Sequence, residues 1–150
     1  MGILMEKNTL GYLLKFAQYA LRQNLDEVLR MVGLTAPQFS AMRELALEPN
    51  LSNAELARAC FVTPQTMIKI LQGLQKAGLI TRQPHLNNRR ILDTALTPAG
   101  LQKLEAATTL VDSIEDRMRM GVTTEEQELL KKVFARFIIN LAKSPDSKKH

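Results

Sequence analysis

The sequence predicts a mainly α-helical fold with one small β-hairpin. Over most of the chain, apolar residues recur every three or four positions, which is the period of an amphipathic helix. After residue 78 the pattern changes to two short segments typical of strands, Leu79–Gln83 and Arg90–Leu96. The polar, turn-forming segment Pro84–Arg89 lies between them and indicates a hairpin.

Length and composition restrict the class of protein. The chain has 150 residues, enough for one domain with a hydrophobic core, and 45% of them are hydrophobic, which argues against disorder. No apolar run approaches the ~20 residues that span a bilayer. The single cysteine, Cys60, excludes an internal disulfide framework. We therefore expect a cytoplasmic protein without a membrane segment.

The first two helices have clear boundary signals. An amphipathic helix is predicted from about Leu10 to Val32, and Gly33 suits a left-handed cap at its end. Thr35 and Gln38 then form a capping box, in which each side chain accepts from the main-chain amide of the other residue. We expect the second helix to run from this box to about residue 47.

The next two helices are predicted to form a helix-turn-helix. Ser52 and Glu55 make another capping box, which opens a short helix to about residue 60. Thr63 as N-cap and Pro64 at the first helical position open a longer helix, which should end at Ala77. These two starts are eleven residues apart, so only a short turn separates the helices. A hairpin directly after a helix-turn-helix is a wing.

Two more helices follow the hairpin and complete a winged helix-turn-helix with flanking helices. Thr97 and Pro98 open the first, Gly121 interrupts it, and Thr123 with Glu126 opens the second. The apolar stripes of the flanking helices exceed what one copy can cover, so we expect residues 8–33 and 97–143 to form a homodimer around the 35–96 module. A monomeric bundle is the alternative.

The positive charge of the chain lies in one segment. Leu56–Leu92 contains six basic residues and no Asp or Glu, whereas the other residues carry 14 basic and 15 acidic side chains. Solvated surfaces usually mix both signs, so a block of one sign indicates an acidic partner. Chance clustering is the alternative explanation.

The helix that begins at Pro64 has two distinct faces. The predicted inward face is Met67, Ile70, Leu71, Leu74 and Ala77. The predicted outward face is Gln65, Thr66, Ile68, Lys69, Gln72, Gly73 and Lys76. Hydroxyl, amide and ammonium groups without any acid fit the major groove of double-stranded DNA, where base acceptors and phosphates are presented.

Individual contacts with DNA follow from these side chains. The residues that we predict to contact DNA from this helix are Thr63, Gln65, Thr66, Ile68, Lys69 and Lys76. Thr63 and Lys69 suit phosphates, the polar side chains of the first turns can reach base edges, and Ile68 suits a thymine methyl group. Arg89 and Arg90 lie at the wing tip, where an arginine can enter the narrow minor groove.

Several segments resemble the multiple antibiotic resistance regulator (MarR) family. They are residues 51–57, 62–66 and 74–80, and Asn88-Arg89-Arg90 followed five residues later by Leu96-Thr97-Pro98-Ala99-Gly100. The resemblance implies a triangular homodimer that reads a pseudo-palindromic operator as a transcriptional regulator. It also implies that Arg90 is the wing arginine and that Arg82 is a basic strand contact. Asn88 stands where the family has an aspartate.

The resemblance also implies a small-molecule effector. Members of this family often bind an aromatic acid, a phenolic compound or a hydrophobic drug between the dimerisation helices and the winged module. On this chain the implied ligand pocket is lined by Tyr12, Phe16, Tyr19 and Phe39, with Arg43 as the partner of an anion. Core packing is the alternative role of each aromatic residue.

Catalytic and metal chemistry find little support in the sequence. His85 is the only histidine before the C-terminal residue, and one cysteine with two histidines cannot close a zinc site without carboxylates. We therefore expect no enzyme activity, no cofactor and no metal. Some MarR-family members sense oxidants through a cysteine, but we interpret Cys60 as a buried structural thiol. The remaining alternative is a winged adaptor that binds proteins and not DNA.

Overall fold

The computed structural model describes residues 8–90 and 92–142. In chain order the elements are α1 (Leu10–Met31), α2 (Ala36–Leu47), α3 (Asn53–Ala59), α4 (Pro64–Lys76), β1 (Ile80–Pro84), β2 (Leu92–Leu96), α5 (Pro98–Arg119) and α6 (Thr124–Ala142). The predicted class, mainly α-helical with one hairpin, is confirmed. Residue 91, in the predicted second strand, and residue 143, the predicted end of the last helix, lie outside the described residues.

The described residues fall into two compact units, one ending at Ile114 within α5 and the other beginning at Glu115. In the first unit, side chains from α1 to α5 and from the hairpin share one core. Its largest fully buried members are Leu29, Met42, Leu45, Leu56, Met67, Leu71, Leu74 and Ile80. The helices that hold the helix-turn-helix are therefore fixed by burial on their inward faces.

The predicted capping boxes at the starts of α2 and α3 are present. The Thr35 hydroxyl accepts from the Gln38 amide at 3.3 Å, and Gln38 Oε1 accepts from the Thr35 amide at 3.0 Å. At α3 the Ser52 hydroxyl accepts from the Glu55 amide at 3.1 Å, and Glu55 Oε2 accepts from the Ser52 amide at 2.7 Å. Amides that have no partner within the helix are thus satisfied by local side chains.

Helix α4 ends one residue earlier than predicted. Its last residue is Lys76, and Ala77 is the C-cap because Gly78 takes a left-handed conformation with φ of +73°. The prediction that Ala77 faces inward is wrong, since this residue is exposed beyond the last turn.

The hairpin is a two-stranded antiparallel sheet. Its register pairs Ile80 with Leu96, Arg82 with Thr94 and Pro84 with Leu92. Pro84, predicted in the turn, is the last residue of β1. Proline has no amide proton to donate between strands, but at the end of β1 this does not disrupt the pairing of β1 with β2.

The second unit contains the end of α5 and all of α6. Gly121 separates the two helices with φ of +77°, and Thr123 and Glu126, predicted to open the last helix, form a capping box at the start of α6. None of the residues of α6 is buried. In the described parts of the chain, no helix has the length and apolarity needed to cross a membrane.

Candidate nucleic-acid interface

The start of α4 is held by a network of two threonines. The Thr63 hydroxyl oxygen accepts from the Thr66 amide at 3.1 Å, and its hydrogen is donated to the Thr66 hydroxyl oxygen at 2.9 Å. The Thr66 hydroxyl therefore keeps its own hydrogen to donate outward, to a base or a phosphate. Pro64 at the first helical position leaves no unpaired amide there.

Helix α4 is amphipathic as predicted, apart from Ala77. Met67 and Leu74 are fully buried and Leu71 is 1% exposed, so the helix is anchored along its length. All seven residues of the predicted outward face are exposed. Among them Ile68, at 42% exposure, is a large apolar side chain on a polar face, as expected for a residue that contacts a partner's methyl group.

The six basic residues of the Leu56–Leu92 segment form no salt bridge among the described residues. Within the described ranges, no ion pair involves Arg58, Lys69, Lys76, Arg82, Arg89 or Arg90. Arg58 acts on the nearby Glu55 carboxylate, so the charge that the chain leaves without a salt bridge is mainly that of the other five residues. A surface of this kind attracts a polyanion such as the DNA backbone.

The wing tip is shaped by two bonds from side chains to the main chain. Asn88 Oδ1 accepts from the Arg90 amide at 3.1 Å, and His85 Nδ1 accepts from the Asn87 amide at 3.1 Å. The first bond is an Asx turn, which orders the main chain that presents the arginines. Arg89 and Arg90 are both exposed.

Arg82 differs from the wing-tip arginines. It lies within β1, opposite Thr94, and is only half-exposed. Its Nε is buried and has no hydrogen-bond partner in the part of the chain that the structure describes. An unpaired buried donor on a cation costs free energy, so Arg82 is held less favourably than the exposed arginines of the wing tip.

Four of the five predicted ligand-pocket residues form two separate pairs, and the fifth, Tyr19, is 58% exposed on α1 and accepts a hydrogen bond from Gln23. The rings of Tyr12 and Phe16 lie 4.8 Å apart on α1, where Phe16 is 57% exposed. On α2, Phe39 is buried in the core and the Arg43 guanidinium lies 5.7 Å from its ring centroid. The core-packing alternative thus describes Phe39, and the assignment of these residues to a ligand remains a prediction.

A groove of about 290 Å³ lies between α1, α2 and the turn that follows α3. It is lined by Gln18, Leu21, Arg22, Leu25, Ala36, Pro37, Ser40, Cys60 and Phe61. Sequence reasoning missed Arg22 and Ser40 because their proximity depends on how α1 and α2 pack. The one local signal was the spacing of residues 18, 21, 22 and 25 on one face of α1.

Cys60 lies at this groove and is half-buried. Burial raises the pKa of its thiol; the nearby Glu44 carboxylate raises that pKa further, and Arg43 opposes both. A raised pKa leaves less thiolate at neutral pH, which favours the structural interpretation of this cysteine. In the described residues no cluster of His, Cys, Asp and Glu could hold a metal ion.

Comparison with known proteins identifies a matching family model and a similar repressor. Residues 34–92 match the model of the MarR family. The HTH-type transcriptional repressor Rv2887 of Mycobacterium tuberculosis is 36% identical over 124 residues, which are 83% of this chain and 89% of the relative.

Solved structures give the same result. The crystal structure of Rv2887 from M. tuberculosis with salicylic acid matches with a TM-score of 0.71 and 34% identity, covering 86% of this chain and 96% of Rv2887. The transcriptional repressor CouR bound to a 23-mer DNA duplex matches with a TM-score of 0.81 and 29% identity, covering 92% and 96% of the two chains. From its elements, its motifs and these relatives, the chain belongs to the MarR family.

Proposed function

We propose that this chain is a transcriptional repressor that binds double-stranded DNA as a homodimer and responds to a small aromatic acid. The observation that carries the proposal is the outward face of α4, which has no acidic residue and lies within a block of six basic residues without ion-pair partners. That Rv2887 is a repressor and that CouR binds a DNA duplex support the same role here.

The proposed DNA contacts come from two elements. Helix α4 enters the major groove, where Thr66 and Gln65 reach base edges and Lys69 reaches a base or a phosphate. The wing enters the minor groove with Arg90. The full set of proposed contacts is Thr63, Gln65, Thr66, Ile68, Lys69, Lys76, Arg82, Arg89 and Arg90.

Dimerisation is supported by the uncovered apolar faces of the outer helices. On α1, Leu10, Leu13 and Phe16 are 67%, 49% and 57% exposed. On α6, Leu129 and Ile138 are 61% and 69% exposed, and no residue of that helix is buried. A second copy of the chain would cover these surfaces, so we propose residues 8–33 and 97–143 as dimerisation helices and 35–96 as the DNA-reading module.

The second unit supplies one part of the proposed dimer surface by itself. A groove of about 530 Å³ lies within it, and its apolar lining includes Met118, Leu130 and Phe134. Such a groove suits an apolar helix face of the second copy.

The proposed effector site lies on α1 and α2. Salicylic acid is bound in the Rv2887 structure, and an aromatic acid needs one cation beside an apolar surface. The groove with Arg22 offers both, beside Leu21 and Pro37. The residues predicted from the sequence, Tyr12, Phe16, Phe39 and Arg43, are the competing proposal. Replacing Arg22 or Arg43 singly by Gln and measuring release from DNA by salicylate distinguishes the two sites.

The proposed role has further consequences. A repressor acts where DNA lies, which places the protein in the cytoplasm, and it requires no enzyme activity. The alternative, a winged adaptor for protein contacts, is less well supported, because it would leave the acid-free face and the free basic side chains without a function. The adaptor alternative also predicts that binding to DNA is weak and does not depend on salt.

The test is the affinity of the purified chain for duplex DNA at several salt concentrations. A dimer with ~6–10 phosphate contacts should lose affinity with a log–log slope of about −0.9 per contact. Footprinting should show half-sites roughly 10 base pairs apart. Lys69→Ala should reduce the slope, whereas Lys132→Ala, which removes an exposed cation on α6, should not. Salt-insensitive binding, or a monomer in sedimentation, would contradict the proposal.

A further inference from the structure

One side chain connects the starts of the two helices of the helix-turn-helix. Asn53, the first residue of α3, donates from Nδ2 to the main-chain carbonyl oxygen of Pro64, the first residue of α4, at 3.0 Å. A carbonyl oxygen can only accept, so Nδ2 and not Oδ1 must face Pro64. The orientation of the amide is thereby determined.

Asn53 is not required to cap its own helix. The capping box of α3 is complete with Ser52 and Glu55, which exchange two hydrogen bonds. Asn53 follows the N-cap, so its side chain is available to form a hydrogen bond outside α3. Its side chain is half-buried and reaches α4, eleven residues further along the chain.

This arrangement stabilises the fold little. Asn53 Oδ1 is buried and has no hydrogen-bond partner in the described ranges. An unpaired buried acceptor costs at least as much free energy as one neutral hydrogen bond contributes. As the first residue of α4, Pro64 also has a carbonyl oxygen that the helix itself can satisfy. Stability therefore does not account for an asparagine at this position.

We propose that Asn53 is a positioning residue for DNA recognition, an inference that rests on the proposed function. By holding the Pro64 carbonyl, it sets where the first turn of α4 lies relative to α3. That turn carries Gln65 and Thr66, the proposed base-reading residues. Base readout needs side chains placed to within about half an ångström. Attraction to phosphates tolerates larger shifts, so Asn53 acts on discrimination between sequences more than on overall affinity.

The experiment compares two duplexes of equal length, one selected by the wild-type protein from a random library and one of random sequence. Asn53→Ala removes the side chain, and Asn53→Leu keeps its approximate volume while removing both the donor and the unpaired acceptor. Both variants should lose roughly tenfold in affinity for the selected duplex, as for one mismatched base pair. Affinity for the random duplex and the salt slope should not change, and the melting temperature of Asn53→Leu should equal or exceed that of the wild type.

Thr35→Ala is the matched control for lost stability. It breaks the capping box of α2 and lowers the melting temperature, but it leaves the bond between Asn53 and Pro64 intact. It should discriminate between the duplexes as the wild type does. Asn53 variants that keep full discrimination, or that lose only melting temperature, overturn the inference while the proposed function stands. A wild-type protein that enriches no duplex from the random library overturns the proposed function and the inference with it.

Discussion

Gly100 lies against the main-chain carbonyl of Leu79 so closely that a β-carbon at residue 100 would overlap the oxygen. The contact joins the first turn of α5 to the turn after α4. Thr97 binds the same turn twice, because its amide donates to the Leu79 oxygen at 3.0 Å and its hydroxyl to the Gly78 oxygen at 2.6 Å. The segment Leu96-Thr97-Pro98-Ala99-Gly100 thus attaches α5 to the end of the proposed DNA-reading helix.

Gly100→Ala should lower the free energy of unfolding by about 3 kcal/mol, because the obstructing atom is main-chain and cannot rotate away. Urea unfolding measures this change. The control is Gly73→Ala in the interior of α4, where a β-carbon would lie 3.6 Å from Gln38 Nε2, an ordinary contact. That substitution should stabilise the protein by up to ~1 kcal/mol. If Gly100→Ala unfolds at the same urea concentration as the wild type, Gly100 and the Leu79 carbonyl are not in close contact in the protein.

The features predicted correctly from the sequence depend on neighbours within a few residues. The capping boxes of Thr35 and Ser52 involve partners three positions away, so the chain encodes them locally. The groove beside Arg22 could not be predicted, because its walls come from two helices and from the turn at Phe61. The bond from Asn53 to Pro64 was missed for a similar reason, since it depends on the angle between two helices.

Phe61 has an unfavourable main-chain conformation. It lies in the turn between α3 and α4 with φ of +56°, and its side chain is 95% exposed, so packing does not offset the strain. The left-handed conformation costs a residue with a β-carbon ~1–2 kcal/mol. Glycine avoids that cost, but it lowers the stability by ~0.5–1 kcal/mol because it has more conformational freedom to lose from the unfolded chain. Phe61→Gly should therefore stabilise the protein by up to ~1 kcal/mol in urea unfolding.

Phe61→Ala is the control for that measurement, because alanine keeps the β-carbon and hence the strain. It should show no gain. Equal stability of the two variants would mean that main-chain strain at residue 61 is negligible.

The capping box of α3 should make stability depend on pH. The hydrogen bond from the Ser52 amide, aided by its hydroxyl and by Arg58, holds the pKa of Glu55 below the usual glutamate range. A carboxyl with a lowered pKa in the folded state stabilises the fold at neutral pH, and the effect is lost as pH falls through that pKa. The difference in melting temperature between wild type and Glu55→Gln should be largest near neutral pH and vanish in acid.

The box of α2 provides the matched control, because its third-position residue is Gln38, which does not titrate. Gln38→Ala should lower the melting temperature by the same amount at every pH at which the protein is folded. A difference between wild type and Glu55→Gln that stays constant from neutral pH to acid would refute the role of the Glu55 charge.

The wing arginine and the asparagine that orders it should affect DNA binding differently. Arg90→Ala removes a charge without an ion-pair partner, so affinity should fall for most sequences and the salt slope should decrease by about one contact per wing. Asn88→Ala removes only the acceptor of the Arg90 amide, 3.1 Å away, so affinity should fall with the slope unchanged. Asn88→Asp keeps an acceptor and should preserve the turn.

Fluorescence anisotropy at low and moderate salt measures these effects on DNA affinity. If the affinity of Arg90→Ala were unchanged at both salt concentrations, the wing would be excluded from the DNA interface.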